Sequence, residues 1–345
     1  MAITDFPFCV LNPGGRDPDQ DFPDFAGPPQ AQGHAPVNYH GYAACVGGSF
    51  LRSVEAVASR HLRHVLLLLR SDLPAALRVL VQLQARGCRV FISFKESGLH
   101  QITQTLEKKG NAAAFHALCT TADGALASTS DAAALYTAAG ACRVEFIATP
   151  YPVDDPRWDF SRPIAERRGI FVGTREWDVP TRQHLTAVLT ALHLSAESSQ
   201  PVSVVNLDGR TGRRRLEDLA ASVPGAELHI IEGRRNYPDY LRLIAGHRLV
   251  WQCDTSSVPG QVAGDAALCR LPCLGGNGAT ERLAFPEFTG HGHSLPELAD
   301  LARALLDDTP HYAETVARLA ETTRRLSFGG GATRLVQTFG PPAGS

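Results

Sequence analysis

Short apolar runs recur along this chain and alternate with longer stretches whose apolar residues repeat at helical spacing. In the first half, Phe8–Leu11, His64–Leu69, Arg89–Phe94, Gly124–Ser128 and Arg143–Ala148 read as strands. Between them, Leu73–Arg86 carries Leu73, Leu77, Leu80 and Val81 on one helical face and stops at Gly87. Leu99–Lys108, Ala112–Ala122 and Asp131–Ala139 also read as helices, and Tyr39–Ser59 as one helix opened by Asn38. The Pro/Gly/Asp-rich stretch Arg16–Pro36 is expected to be a long loop. Strands alternating with helices specify a parallel sheet covered on both faces.

The pattern restarts after a charged, irregular stretch at 155–168. Gly169–Gly173, Val202–Leu207, Glu227–Ile231, Leu249–Cys253 and Pro272–Leu274 read as strands, separated by helices at Thr181–Leu192, Arg213–Ser222, Tyr237–Ala245 and Gln261–Cys269. Amphipathic helices Pro296–Leu306 and Tyr312–Leu326 close the chain. The expectation is therefore an α/β protein with two doubly wound, Rossmann-like domains, at 1–154 and 169–345, joined by a linker at 155–168.

Composition narrows the partners. With 345 residues, 44% of them hydrophobic and 20% charged, the chain is long enough for two ordinary cores. A formal net charge of −2 gives no global field for nucleic acid, so none is expected as a partner. The longest apolar run, Val65–Leu69, is too short to span a bilayer, and the N-terminus has no basic, signal-like segment. Eight scattered cysteines without CxxC pairs fit reduced thiols, so a cytoplasmic location is expected. No metal ligands are assigned: HExxH is absent, and the His291/His293 loop reads as flexible and polar. Gly329–Gly331 lacks the Lys and Ser/Thr of a P-loop, and no GxGxxG follows the first strand, so no cofactor is expected.

The chemistry concentrates between Tyr240 and Arg282. A strand there feeds a polar Ser/Gly/Pro turn, then a small-residue helix, a short strand and the Gly-rich loop Gly275–Gly278. A polar turn opening a helix gathers unpaired N–H groups and a positive dipole end, which suits a phosphate. In this order the segment resembles the donor-nucleotide half of GT-B glycosyltransferases. Asp265-Ala266-Ala267-Leu268-Cys269-Arg270-Leu271-Pro272 falls on that family's Glu-Ala-x-Ala-x-Gly-x-Pro run. The resemblance places Asp265 on the donor ribose. The first Glu of the family's acidic pair falls at Ser257, a departure that leaves sugar recognition there open. The same alignment puts Ser256, Gln261 and Asn277 against the nucleotide.

Other positions follow from the same resemblance. Val172-Gly173-Thr174-Arg175 matches a V-G-R segment, with Arg182 standing for a later Lys; both arginines are implied to hold the diphosphate. Glu232 lies where the family's loop meets the nucleobase. Thr149–Asp154 resembles the segment that ends the first domain in retaining members. In that domain, Gly14 and Gly15 permit close backbone approach, and Lys95 and Glu96 stand where many relatives carry a His beside the reacting sugar. The resemblance implies two domains facing a cleft and a metal-independent, retaining transfer of sugar from a nucleotide-sugar donor to an unidentified acceptor hydroxyl. A sugar-nucleotide epimerase, a phosphorylase, or a GT-B binding protein without catalysis are the alternatives.

Overall fold

The structure, a computed structural model, describes residues 6–30, 33–95 and 98–340. It divides into two compact units: Met1–Arg157 with Ser257–Pro259 and Leu326–Ser345, and Trp158–Ser256 with Gly260–Arg325.

The first unit is built on seven strands: β1 (Phe8–Leu11), β2 (Gln20–Asp21), β3 (Ser49–Leu51), β4 (His64–Leu69), β5 (Arg89–Phe94), β6 (Gly124–Ala127) and β7 (Val144–Phe146). Their order across the sheet is β2-β3-β1-β4-β5-β6-β7, parallel except for the antiparallel edge strand β2. Alternate residues of β1, β3, β4, β5 and β6 enter opposite cores. Val65, Leu67 and Leu69 pack with Leu73, Leu80 and Leu83, while Leu66 and Leu68 pack with Phe8, Tyr42 and Phe50. Burial on both faces is why β4 reads as an unbroken apolar run, not an alternating one.

Two expectations fail in this unit. Tyr39–Ser59 is not one helix: it is a helix at Tyr39–Ala44, the strand β3, and a helix at Val54–Ser59 capped by Ser53. At Gly48 a Cβ would lie 2.6 Å from the Phe8 carbonyl oxygen, so glycine lets β3 lie tight against β1. The second domain does not run to 345 either. Gly329–Gly331 lies within a helix, Phe328–Phe339, opened by Ser327 as N-cap. Ala332, Leu335 and Phe339 of that helix join the first unit's core beside Phe8 and Phe91. Burying each of the two large side chains stabilises by about 1.5–3 kcal/mol, which holds the last helix on the first unit.

The second unit has five parallel strands: β8 (Ile170–Val172), β9 (Val202–Asn206), β10 (Leu228–Glu232), β11 (Leu249–Trp251) and β12 (Cys273–Leu274). Their order is β10-β9-β8-β11-β12. The chain thus moves outward in one direction from β8 and then restarts on its other side at β11. In such a sheet the loops after those two strands diverge and leave a crevice at their carboxyl ends. All eight cysteines are unpaired, and seven are buried. No helix among the described residues is long and apolar enough to cross a membrane.

Candidate functional site

The loops after β8 and β11 carry most of the second-unit residues singled out in the sequence. After β8, Gly173 packs so closely under the Gln261–Leu268 helix that a Cβ would lie 2.2 Å from Val262. Gly173 therefore serves helix-on-strand packing. Thr174 is buried, its hydroxyl 3.1 Å from Nδ1 of His184. Arg175 keeps 37% of its side chain exposed, lies 5.9 Å over the Tyr240 ring and makes a loose 3.8 Å pair with Glu176.

Arg182 does not open the next helix. It ends a 3-10 turn, Pro180–Arg182, and the α-helix begins at His184. Its guanidinium donates to Asp254, whose side chain is only 4% exposed, while Arg182 remains 26% exposed. The Ser256 amide donates to the same carboxylate at 2.8 Å, and the Ser256 hydroxyl also donates to it. Thr255 N–H bonds the Thr181 carbonyl at 2.8 Å, tying the two loops together. Asp254, absent from the sequence assignments, is the hub of this corner.

Behind it lies a second carboxyl. Glu281, in the first turn of the Ala279–Ala284 helix, is buried and accepts from Gln252 Nε2 at 2.8 Å, and its Oε2 has no partner among the described residues. Burial pushes its pKa up to about 7. The Gly275–Gly278 loop folds around these groups. Gly275 has φ +77°, and a Cβ there would lie 1.8 Å from the Gln252 carbonyl oxygen. Only glycine meets both conditions. Asn277 donates its N–H to the Asp254 carbonyl at 3.0 Å. Gln261 is the first residue of its helix, after Gly260, and Ser257 has a left-handed backbone at φ 50°.

Asp265 lies on the Gln261–Leu268 helix. It is buried at 2% exposure, deep in its helix, and accepts from the Tyr237 hydroxyl. Burial raises its pKa to about 7, against the lowering effects of the Tyr237 hydrogen bond and of Arg175. Its carboxylate faces a phenol, not solvent. Glu232 ends β10 and is held by Asn206 Nδ2 at 2.8 Å and by Arg213 at 2.8 Å.

In the first unit the equivalent corner lies at the ends of β1 and β4, where that sheet changes direction. Gly14 and Gly15 form the turn after β1, with Gly15 N–H on the Asn12 carbonyl at 3.0 Å. Asn12 is fully buried; Arg70 reaches its Oδ1 at 3.5 Å, and its Nδ2 has no partner among the described residues. Lys95 follows β5, its N–H on the Leu69 carbonyl at 2.9 Å. Glu96 lies outside the described residues.

Sequence reasoning missed Asp254, Glu281, Tyr237 and His184. Their common signal is position: each lies just beyond a strand end of the second sheet or in the helix that follows. His184 is 3% exposed, its Nε2 has no partner among the described residues, and burial lowers its pKa to about 4.

No protein-family model matches the sequence, and no curated protein matches it. Solved structures do. A glycosyltransferase from Rickettsia africae ESF-5 is 11% identical with a TM-score of 0.57, over 83% of this chain and 78% of that one. A UDP-forming α,α-trehalose-phosphate synthase from Burkholderia xenovorans is 13% identical with a TM-score of 0.57, over 84% and 77%. An E. coli trehalose-6-phosphate protein bound with UDP-2-fluoro glucose is 12% identical with a TM-score of 0.57, over 82% and 76%. At such identities the likeness is one of architecture, and with the two parallel sheets it shows that the chain has the GT-B glycosyltransferase fold.

Proposed function

We propose that the chain is a glycosyltransferase that moves a sugar from a nucleotide-sugar donor to an acceptor hydroxyl, with retention of configuration. The observation that carries this reading is a coincidence of place. Arg175, the Arg182–Asp254 pair, the start of the Gln261–Leu268 helix and the Gly275–Gly278 loop all gather at the direction change of the second unit's sheet. Nucleotides bind at that point in open parallel sheets. The UDP-sugar in a structure of the same fold supports the donor class.

The donor diphosphate lies on Arg175 and the exposed face of Arg182, with the helix N–H groups beneath it. As the bond to the sugar breaks, negative charge grows on the leaving diphosphate, and fixed cationic donors stabilise that charge. Guanidinium groups stay protonated throughout, so no magnesium or manganese is needed there. Asp265 takes a ribose hydroxyl in exchange for the Tyr237 hydroxyl, which has the same donor chemistry. Ser256, Ser257, Gln261 and Asn277 line the donor, and Glu232 meets the base. The first unit supplies the acceptor side, with Gly14, Gly15 and Lys95 at strand ends and Glu96 as proton acceptor.

A binding protein without turnover is favoured by one observation: Arg182 is already paired with Asp254. Calorimetry with a panel of sugar nucleotides, run beside an assay of slow donor hydrolysis, separates the two readings. The expected result is binding of one nucleotide class and measurable sugar release without added magnesium or manganese. Arg175→Ala should lower release by about tenfold or more. Binding with no release would favour the binding protein, and no binding by any sugar nucleotide would overturn both.

A further inference from the structure

Outside these corners, the loop between β1 and the Tyr39–Ala44 helix brings together three side chains of metal-binding type. Asp17, His34 and His40 each offer one ligand atom, and the three atoms all lie within 4.8 Å of one another. In the sequence this stretch is a Pro/Gly/Asp-rich loop with no assigned ligands, because none of the spacings forms a motif.

Four features mark the cluster as built. His40 is 3% exposed, and its Nε2 has no hydrogen-bond partner among the described residues. A buried ring nitrogen left unpaired costs about 1–3 kcal/mol, so the fold bears a penalty that a ligated ion removes. His34 Nδ1 lies 2.9 Å from the Ala35 carbonyl oxygen. A carbonyl only accepts, so that nitrogen carries the proton and Nε2 keeps the lone pair a metal ion needs. The backbone of His34 is itself clamped: Gln20 accepts from its N–H at 2.7 Å and donates to its carbonyl at 3.1 Å. Phe50 stacks on His40 at 3.8 Å and fixes that ring from the opposite side to His34.

We propose that Asp17, His34 and His40 bind a divalent transition-metal ion of the zinc class, with water completing its shell. Two imidazoles and one carboxylate suit zinc and its neighbours, whereas magnesium and calcium require oxygen donors. The two imidazole rings stack at 3.8 Å and 8°, so their lone pairs run parallel. Donors about 2.0–2.1 Å from a tetrahedral ion sit about 3.3 Å apart and converge on it. Binding therefore turns the partly exposed His34 ring out of the stack while its clamped backbone stays in place. The ion would brace the β1 loop, which also carries the Gly14–Gly15 turn, onto the helix bearing His40.

The test uses the full chain stripped with chelator. Cobalt(II) should bind with one equivalent and give intensified visible bands of low coordination number, which zinc should abolish by displacement. Zinc at a hundredfold excess over its dissociation constant should raise the unfolding midpoint by several degrees. Asp17→Asn and His34→Gln, both at partly exposed positions, should each weaken binding by about tenfold or more. His40→Gln should do the same, and the other two variants keep the test decisive if it fails to fold. No cobalt or zinc binding would overturn the proposal. So would binding unchanged in the Asp17 and His34 variants, which would place the ion elsewhere, for example at His291 and His293. Equal affinity for magnesium would also overturn it.

Discussion

Replacing Asp265 with Asn tests the energetics of the second unit directly. The Asp265 carboxyl is buried in the Gln261–Leu268 helix, with a folded pKa of about 7 against an ordinary 3.8. A carboxyl whose pKa rises on folding binds more protons in the folded state, so its contribution to stability is intact below pH 4 and is lost as pH rises to 7. The penalty at pH 8 is about 4 kcal/mol, at about 1.4 kcal/mol per tenfold change in proton affinity. Asn accepts the Tyr237 hydrogen bond and carries no charge, so this pH-dependent penalty disappears. Asn also buries two amide N–H donors, and leaving them unpaired costs about 1–3 kcal/mol at every pH. The clean quantity is therefore the slope: the stability of Asp265→Asn relative to wild type should rise by about 4 kcal/mol between pH 4 and pH 8. Urea unfolding followed by tryptophan fluorescence reads this locally, because Trp158, Trp177 and Trp251 all lie in the second unit. A mutant curve parallel to wild type across that range would refute the burial argument.

Three further outcomes follow from the same geometry. Arg182→Ala leaves the Asp254 carboxylate buried and without its cation; urea unfolding should show a loss of about 2–4 kcal/mol, partly restored in the Arg182→Ala/Asp254→Ala double mutant. His184 works in the opposite pH direction to Asp265. Its lowered pKa of about 4 means stability is present above pH 6.5 and lost as pH falls toward 4, and His184→Gln should flatten that slope in tryptophan fluorescence. Gly275→Ala should lower second-unit stability by about 1–3 kcal/mol and weaken nucleotide binding in calorimetry, since its Cβ would meet the Gln252 carbonyl; unchanged stability would mean the loop shifts freely.

Periodicity alone determined the two-sheet α/β architecture. β4 and β5 lie at His64–Leu69 and Arg89–Phe94 as the apolar runs predict, because a strand buried on both faces has no alternative to a continuous apolar sequence. Strand order, however, is not written in local pattern. That β11 returns beside β8, and so makes a crevice of the loops holding Arg175 and Asp254, is a decision of long-range pairing. Short elements were hidden for a related reason: β3 is three residues long and held by packing under Gly48, with too few positions to show a period. The resemblance marked Asp265 by its place in a motif, but burial beside Tyr237 of another helix decided that its carboxyl has a phenol for a partner. The Gly-rich run at 329–331 lies beyond the last helix the sequence predicts, because glycine is a poor helix former; tertiary contact of Leu335 and Phe339 with the first unit's core outweighs that propensity. Asp17, His34 and His40 lie up to 23 residues apart in a stretch with no periodicity, so only the folded loop could bring their ligand atoms within reach of one ion.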